Sequence, residues 1–238
     1  MVVEICANSF ESALAAQEGG AHRIELCTNL SVGGLTPSYE LIEKVVKEIS
    51  IPIHVLIRPR KGDFYYTTTE INEMIKDIEF CKKSGCKGVV SGVLTLGNNI
   101  DINATQQLIK AANGMNFTFY RAFDCVENAI ESLKQLMELK IKRVLSSGQK
   151  QTAIEGIYLL NEMKSVSNNK IEIMPGSGIN TQNVMAFKDA GFKSIHLSAT
   201  IKPKTTMVKN SFFESDYEGV SDKNTIQKIV SLVTKKVN

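Results

Sequence analysis

The chain has 238 residues, 28 of them Lys or Arg and 25 Asp or Glu, for a net charge of +3. That near balance leaves no basic surface of the kind that tracks nucleic acid, and no apolar run reaches the ~18 residues needed to span a bilayer. A hydrophobic share of 43% excludes a disordered chain and is enough for a packed core.

The first segment, Val3-Glu4-Ile5-Cys6, alternates apolar and polar residues as a strand does. Asn8 follows with Glu11 at capping-box spacing, which predicts a helix over 9–19. No basic n-region or apolar h-region precedes it, so a cytoplasmic location is expected. A second strand over 22–27 carries Ile24-Glu25-Leu26-Cys27, and Thr36-Pro37 opens a helix over 37–49. Strands then recur near 52–57, 88–92, 116–120, 142–146, 170–174 and 193–197. Helical patterns fall near 69–84, 102–113, 126–140, 151–166 and 181–190. Asp222 is a cap for a last helix over 222–236.

Eight strands alternating with eight helices predict a parallel sheet. Eight repeats in this length favour a single closed (β/α)8 barrel occupying 1–238, since that fold typically needs about 250 residues. The strands support closure. Glu4, Glu25, His54, Glu172 and His196 each sit between apolar neighbours, so one face of each strand is greasy and the other ionisable. An open doubly wound sheet has helices on both faces, and its central strands read apolar on both. No G-x-G-x-x-G follows the first strand, which removes the main support for a dinucleotide-binding version. Residues 200–221 have no clear periodicity; a lid, a subunit contact or a disordered excursion would all fit.

In such a barrel the site lies at the C-terminal ends of the strands. Cys6 and Cys27 end strands one and two, which run ~4.8 Å apart in a sheet. Two inward thiolates would suit one soft ion, Cu(I) before structural zinc, which wants four ligands. Alternatively they are small residues filling the barrel mouth. The remaining cysteines, Cys81, Cys86 and Cys125, have no metal-binding spacing, and all five are expected to be reduced.

Arg58 and Arg60 leave strand three and Arg121 leaves strand five. Their forks would either hold an anion or neutralise the interior carboxylates. Gly176-Ser177-Gly178 and Ser198 follow strands seven and eight, where barrel enzymes often bind phosphate, and Ser146-Ser147-Gly148 after strand six would extend that cradle. Ser147, Gly176, Ser177, Gly178 and Ser198 are therefore candidate anion contacts. Glu25, His196 and Asp124 are candidates for proton transfer, with Glu4 close enough to Glu25 to raise one of the two carboxyl pKa values.

Together these runs resemble the CutC family, known as copper homeostasis proteins. The resemblance rests on Val3 to Cys6, Gly20-Ala21-His22-Arg23-Ile24-Glu25-Leu26-Cys27 and Gly33-Gly34-Leu35-Thr36-Pro37-Ser38. It continues through Ile57-Arg58-Pro59-Arg60, Gly62-Asp63-Phe64, Arg121-Ala122-Phe123-Asp124, Val144 to Gly148 and Met174 to Gly178. It implies a cytoplasmic barrel, often a homodimer, that binds Cu(I) at Cys6 and Cys27. Two positions depart from the pattern: Tyr120 stands where the family usually has His, and Gly97-Asn98-Asn99 where Asp-Gly is usual. The arginines, Asp124 and the glycine-rich loops suit a barrel enzyme with a small phosphorylated or carboxylated substrate, of lyase, isomerase or aldolase type. That is the competing reading.

Overall fold

The structure is a computed structural model and describes residues 1–201 and 219–234. Eight strands, β1 (Val2–Ala7), β2 (Arg23–Leu26), β3 (Ile53–Leu56), β4 (Gly88–Ser91), β5 (Asn116–Phe119), β6 (Arg143–Ser146), β7 (Glu172–Pro175) and β8 (Ser194–Leu197), pair in parallel in the order β7-β6-β5-β4-β3-β2-β1-β8. A parallel bridge between Gly176 and His196 closes the ring. Around it lie α1 (Phe10–Glu18), α2 (Tyr39–Glu48), α3 (Thr68–Ser84), α4 (Ile102–Ala111), α5 (Ala129–Glu138), α6 (Ile157–Ser167), α7 (Val184–Asp189) and α8 (Lys223–Thr234). The fold is the expected (β/α)8 barrel.

Helix starts follow local chemistry, with shifts from the sequence reading. Ser9, not Asn8, caps α1 by accepting from Ser12 N, while Asn8 accepts the Ser12 hydroxyl at 2.8 Å. Ser38 caps α2, two residues past Thr36, whose hydroxyl instead accepts from Arg58 N at 2.8 Å. Thr67 and Glu70 form a reciprocal capping box at α3. Asp222 caps α8 as expected, accepting from Thr225 N at 2.8 Å. Most of the segment 200–221 lies outside the described residues. Its ends do not: β9 (Thr200–Ile201) pairs antiparallel with β10 (Val220–Ser221) beside the barrel mouth.

Two apolar groups separate cleanly. Val3, Ile5, Ile24, Leu26, Val55, Val89, Val144 and Ile195 pack outward against the helices. Cys6, Cys27, Leu56, Val90, Tyr120, Leu145 and Met174 pack inside the ring. Beneath the inner group lies a charged layer. Arg23 Nε pairs with Glu4 Oε2, and His196 Nδ1 lies 2.8 Å from Glu4 Oε1. Arg143 pairs with Glu172 at 3.2 Å and donates to the Thr118 hydroxyl at 3.1 Å. Burial pushes Glu4 up, but Arg23, His196 and His54 together hold it well below the usual carboxylate range. Arg23 and Arg143, rather than Arg58, Arg60 and Arg121, are thus the counter-charges for Glu4 and Glu172. Both could have been found by period two, because Arg23 precedes Glu25 by two positions and shares its face.

Candidate functional site

The C-terminal ends of the strands open into a cavity of about 650 Å³. It is lined by Cys6, Glu25 and His196 and by Tyr120, Arg121 and Leu145. Ser177, Gly178, Ile179, Ser198 and Thr200, from the loops after β7 and β8, line it as well.

Cys6 and Cys27 come together: their Sγ atoms are 3.4 Å apart, and Cys6 also approaches Glu25 Oε1 at 3.8 Å. The donor atoms of Cys6, Glu25 and His196 lie within 4.8 Å of one another. Hydrogen bonding to Cys27, reinforced by burial, pushes the Cys6 thiol well up. Burial pulls His196 down, but Glu25, Cys6 and Glu4 outweigh it and raise the imidazole well above its ordinary value. Glu25 is driven mainly by burial to about 7, with His196 opposing and Glu4 assisting the rise. Its Oε2 is buried without a hydrogen-bond partner among the described residues.

This donor set fits a soft ion. Metal–sulfur bonds of ~2.3 Å to sulfurs 3.4 Å apart enclose an angle of roughly 95°, whereas a linear dithiolate would need a separation of ~4.6 Å. The geometry favours a bent pair completed by a third donor, and the unpartnered Glu25 oxygen and His196 are the adjacent candidates.

The three arginines diverge. Arg58 is buried and donates to the carbonyls of Val32 at 2.7 Å, Gly34 at 3.0 Å and Gly62 at 2.9 Å. It holds the loop after β2 across the mouth, where the Tyr120 hydroxyl also donates to Gly33 O. Gly34 adopts φ +89° there, and a Cβ would come within 2.7 Å of Leu56. Arg60 pairs with Glu70 at 2.5 Å and Asp63 at 3.0 Å, outside the cavity. Neither Arg58 nor Arg60 is among the residues lining this cavity. Arg121 does face it.

The loop after β6 is filled by the chain itself. Asp124 accepts from Ser147 N at 2.9 Å, from the Ser146 hydroxyl at 2.6 Å and from Arg121 Nε at 2.8 Å. Ser147 Oγ accepts from Arg121 Nη2 at 3.0 Å. Ser147 is therefore occupied by an internal carboxylate, and Asp124 orients Arg121 rather than standing free in the cavity. Gly176 N donates to Ser146 O at 3.0 Å, continuing the sheet. Ser177 and Ser198 reach the cavity, although the Ser177 hydroxyl donates to Gln151 O at 2.8 Å and Ser198 Oγ lies 3.3 Å from Thr200 Oγ1. Tyr120, which the sequence marks only as a departure from the family pattern, lines the cavity.

Fold and site together define a (β/α)8 barrel with a thiol, carboxyl and imidazole cluster at its mouth. The CutC family model matches residues 1–201, and the chain belongs to that family. A CutC family protein of Pasteurella multocida is 47% identical over 199 residues, covering 83% of this chain and 82% of that protein. One from Histophilus somni is 42% identical over 240 residues, 98% of this chain and 99% of the relative. The solved structure of CutC from Streptococcus agalactiae, which carries a copper homeostasis name, superposes with a TM-score of 0.78 at 33% identity, covering 83% of this chain and 98% of that one. Thiamine phosphate pyrophosphorylase from Pyrococcus furiosus, at 16% identity and a TM-score of 0.61, shares the fold alone. No helix among the described residues is long and apolar enough to cross a membrane.

Proposed function

We propose that this barrel binds one Cu(I) per chain in copper homeostasis, through the thiolates of Cys6 and Cys27 with His196 or Glu25 as third donor. The observation that carries this reading is the 3.4 Å approach of the two buried sulfurs beside the unpartnered Glu25 oxygen. Soft thiolates select Cu(I) among biological metals. The ion is cargo here, and the protein supplies a dry, preorganised thiol pair reached through the open mouth. The same reading, by family resemblance, makes 1–238 one barrel domain, homodimeric and cytoplasmic. Anaerobic titration of the reduced protein with Cu(I) against a chromophoric chelator tests it. One equivalent should bind tightly, Cys6→Ser/Cys27→Ser should abolish this, and Cys81→Ser should not. Unchanged Cu(I) affinity in the double variant would refute the site.

A second reading rests on Glu25. A carboxyl held at about 7 and lining a substrate-sized cavity suits general acid or base work at neutral pH. It predicts turnover of a small organic substrate without copper. A thermal-shift screen of a metabolite panel, with and without Cu(I), separates the two, since native-state ligands raise apparent stability.

A further inference from the structure

We infer that the barrel mouth holds a small monocarboxylate, gripped end-on by Arg121. Guanidinium has two bidentate edges, and the described residues use one of them. Arg121 Nε donates to Asp124 at 2.8 Å and Nη2 donates to Ser147 Oγ at 3.0 Å, so the Nε–Nη2 edge is fixed internally. The Nη1–Nη2 end has no protein partner at Nη1 among the described residues, and Arg121 lines the cavity with its side chain 34% exposed. A fork pinned along one edge and open at the other is preorganised for a carboxylate, which matches its two parallel N–H donors.

A second observation lies on the loop after β7. Gly178 and Ile179 line the same cavity, and their consecutive backbone N–H groups donate no hydrogen bond among the described residues. Gly178 has φ +70°, and a Cβ there would come within 2.9 Å of Thr152. Unpaired amides of this kind, on the loop after strand seven, suit an anion.

The charge count selects a monoanion. Among the described residues Arg121 is the one Arg or Lys side chain lining the cavity, and Asp124 already offsets part of its charge. A phosphate dianion would meet too little compensating charge. Leu30, Leu145, Ile179 and Leu197 give the cavity an apolar share, so the acid would carry a short carbon body extending toward Glu25. A small hydroxy or keto acid meets these requirements. The subsite names a substrate class for the second reading above, but binding rests on Arg121 and turnover on Glu25, so each stands or falls alone.

The test is a titration of ¹⁵N-labelled full-length protein with sodium glycolate, and separately with inorganic phosphate, at constant ionic strength. Saturable shifts at the Gly178 and Ile179 amides and at the Arg121 guanidinium are expected with glycolate, at lower concentration than with phosphate. Arg121→Gln should weaken glycolate binding at least tenfold. Arg121→Lys, which keeps the charge and the Asp124 neighbour but loses the fork, should weaken it severalfold and covers the case in which the glutamine variant fails to fold. Arg60→Gln should leave it unchanged. Glycolate should still bind to Glu25→Gln and to Cys6→Ser/Cys27→Ser, so failure of the proton-transfer or copper reading does not carry over. Absence of saturable shifts, tighter binding of phosphate, or full affinity in Arg121→Lys would overturn the assignment.

Discussion

Cys6 and Cys27 bring their sulfurs to 3.4 Å although they are not cross-strand partners, since Cys6 lies opposite Glu25 in the β1–β2 register. The offset of two residues arises because both side chains lean into the barrel and meet diagonally. Within a parallel pair such diagonal neighbours are still in reach of each other. Cys6 Sγ also lies 3.8 Å from Glu25 Oε1, so a group held by the thiol pair at Cys6 is presented to that carboxyl.

Each sulfur should therefore be separately indispensable. Second-sphere changes at metal sites cost about 10–100-fold in affinity, and loss of a ligand should cost at least the upper figure. Cys6→Ser and Cys27→Ser alone are each expected to lower Cu(I) affinity by ~100-fold or more, measured by chelator competition. Equal affinity in either single variant would remove that residue from the site.

Glu25 should impose a pH slope on stability. Its folded value, about 7, lies above the ordinary 4.5, so the folded state keeps a proton that the unfolded chain releases between the two. Stability from this group is full below about 4.5 and falls as pH rises through about 7. Glu25→Gln should flatten that slope, gaining up to roughly 3 kcal/mol at pH 8 relative to pH 5. Urea unfolding at the two pH values measures it; an unchanged slope would place its origin elsewhere. His196, also raised, loses its contribution as pH climbs through its own folded value.

The Glu4 carboxylate is the counter-charge for Arg23 and the partner of His196. Removing one member of a buried pair leaves the other uncompensated and typically costs 3–5 kcal/mol. Glu4→Gln should be destabilising by about that amount, and Glu4→Gln/Arg23→Met should recover part of it. Because Glu4 is held low, its contribution is present above about 4.5 and lost as pH falls through its folded value. Additive losses in the double variant would show that the pair is not coupled.

Arg58 should behave as a loop clamp. It makes three hydrogen bonds to carbonyls on both sides of the β2 and β3 loops. Arg58→Lys keeps the charge but cannot reproduce the planar fork, and should cost about 2 kcal/mol. Amide exchange at 29–35 should accelerate, while glycolate affinity stays within threefold. A selective loss of anion binding without faster exchange would restore Arg58 to the anion site.

The barrel was legible in the chain because its information is local. Period-two alternation in Val3-Glu4-Ile5-Cys6 and its counterparts fixes which side chains face inward, and a one-residue slip would reverse every one of them. Glu4, Glu25, His54 and His196 are accordingly buried, and Glu172 is half-buried and paired with Arg143. The caps shifted by one or two residues because Asn8 and Ser9, or Thr36 and Ser38, offer nearly equal chemistry, and neighbouring contacts choose between them.

By itself, then, the sequence determined the fold, the inward set of ionisable residues and the adjacency of Cys6 and Cys27. All three follow from strand order and side-chain alternation. The tertiary structure decided how the charges are shared. Three arginines at the same end of a barrel look equivalent along the chain, yet Arg58 turns to carbonyls, Arg60 to Glu70 and Arg121 to Asp124. The interior carboxylates take Arg23 and Arg143 instead. Pairing depends on distances of a few ångströms across the ring, between residues up to 192 positions apart in the case of Glu4 and His196. Only closure of the barrel sets those distances, and with them the pKa of Glu25.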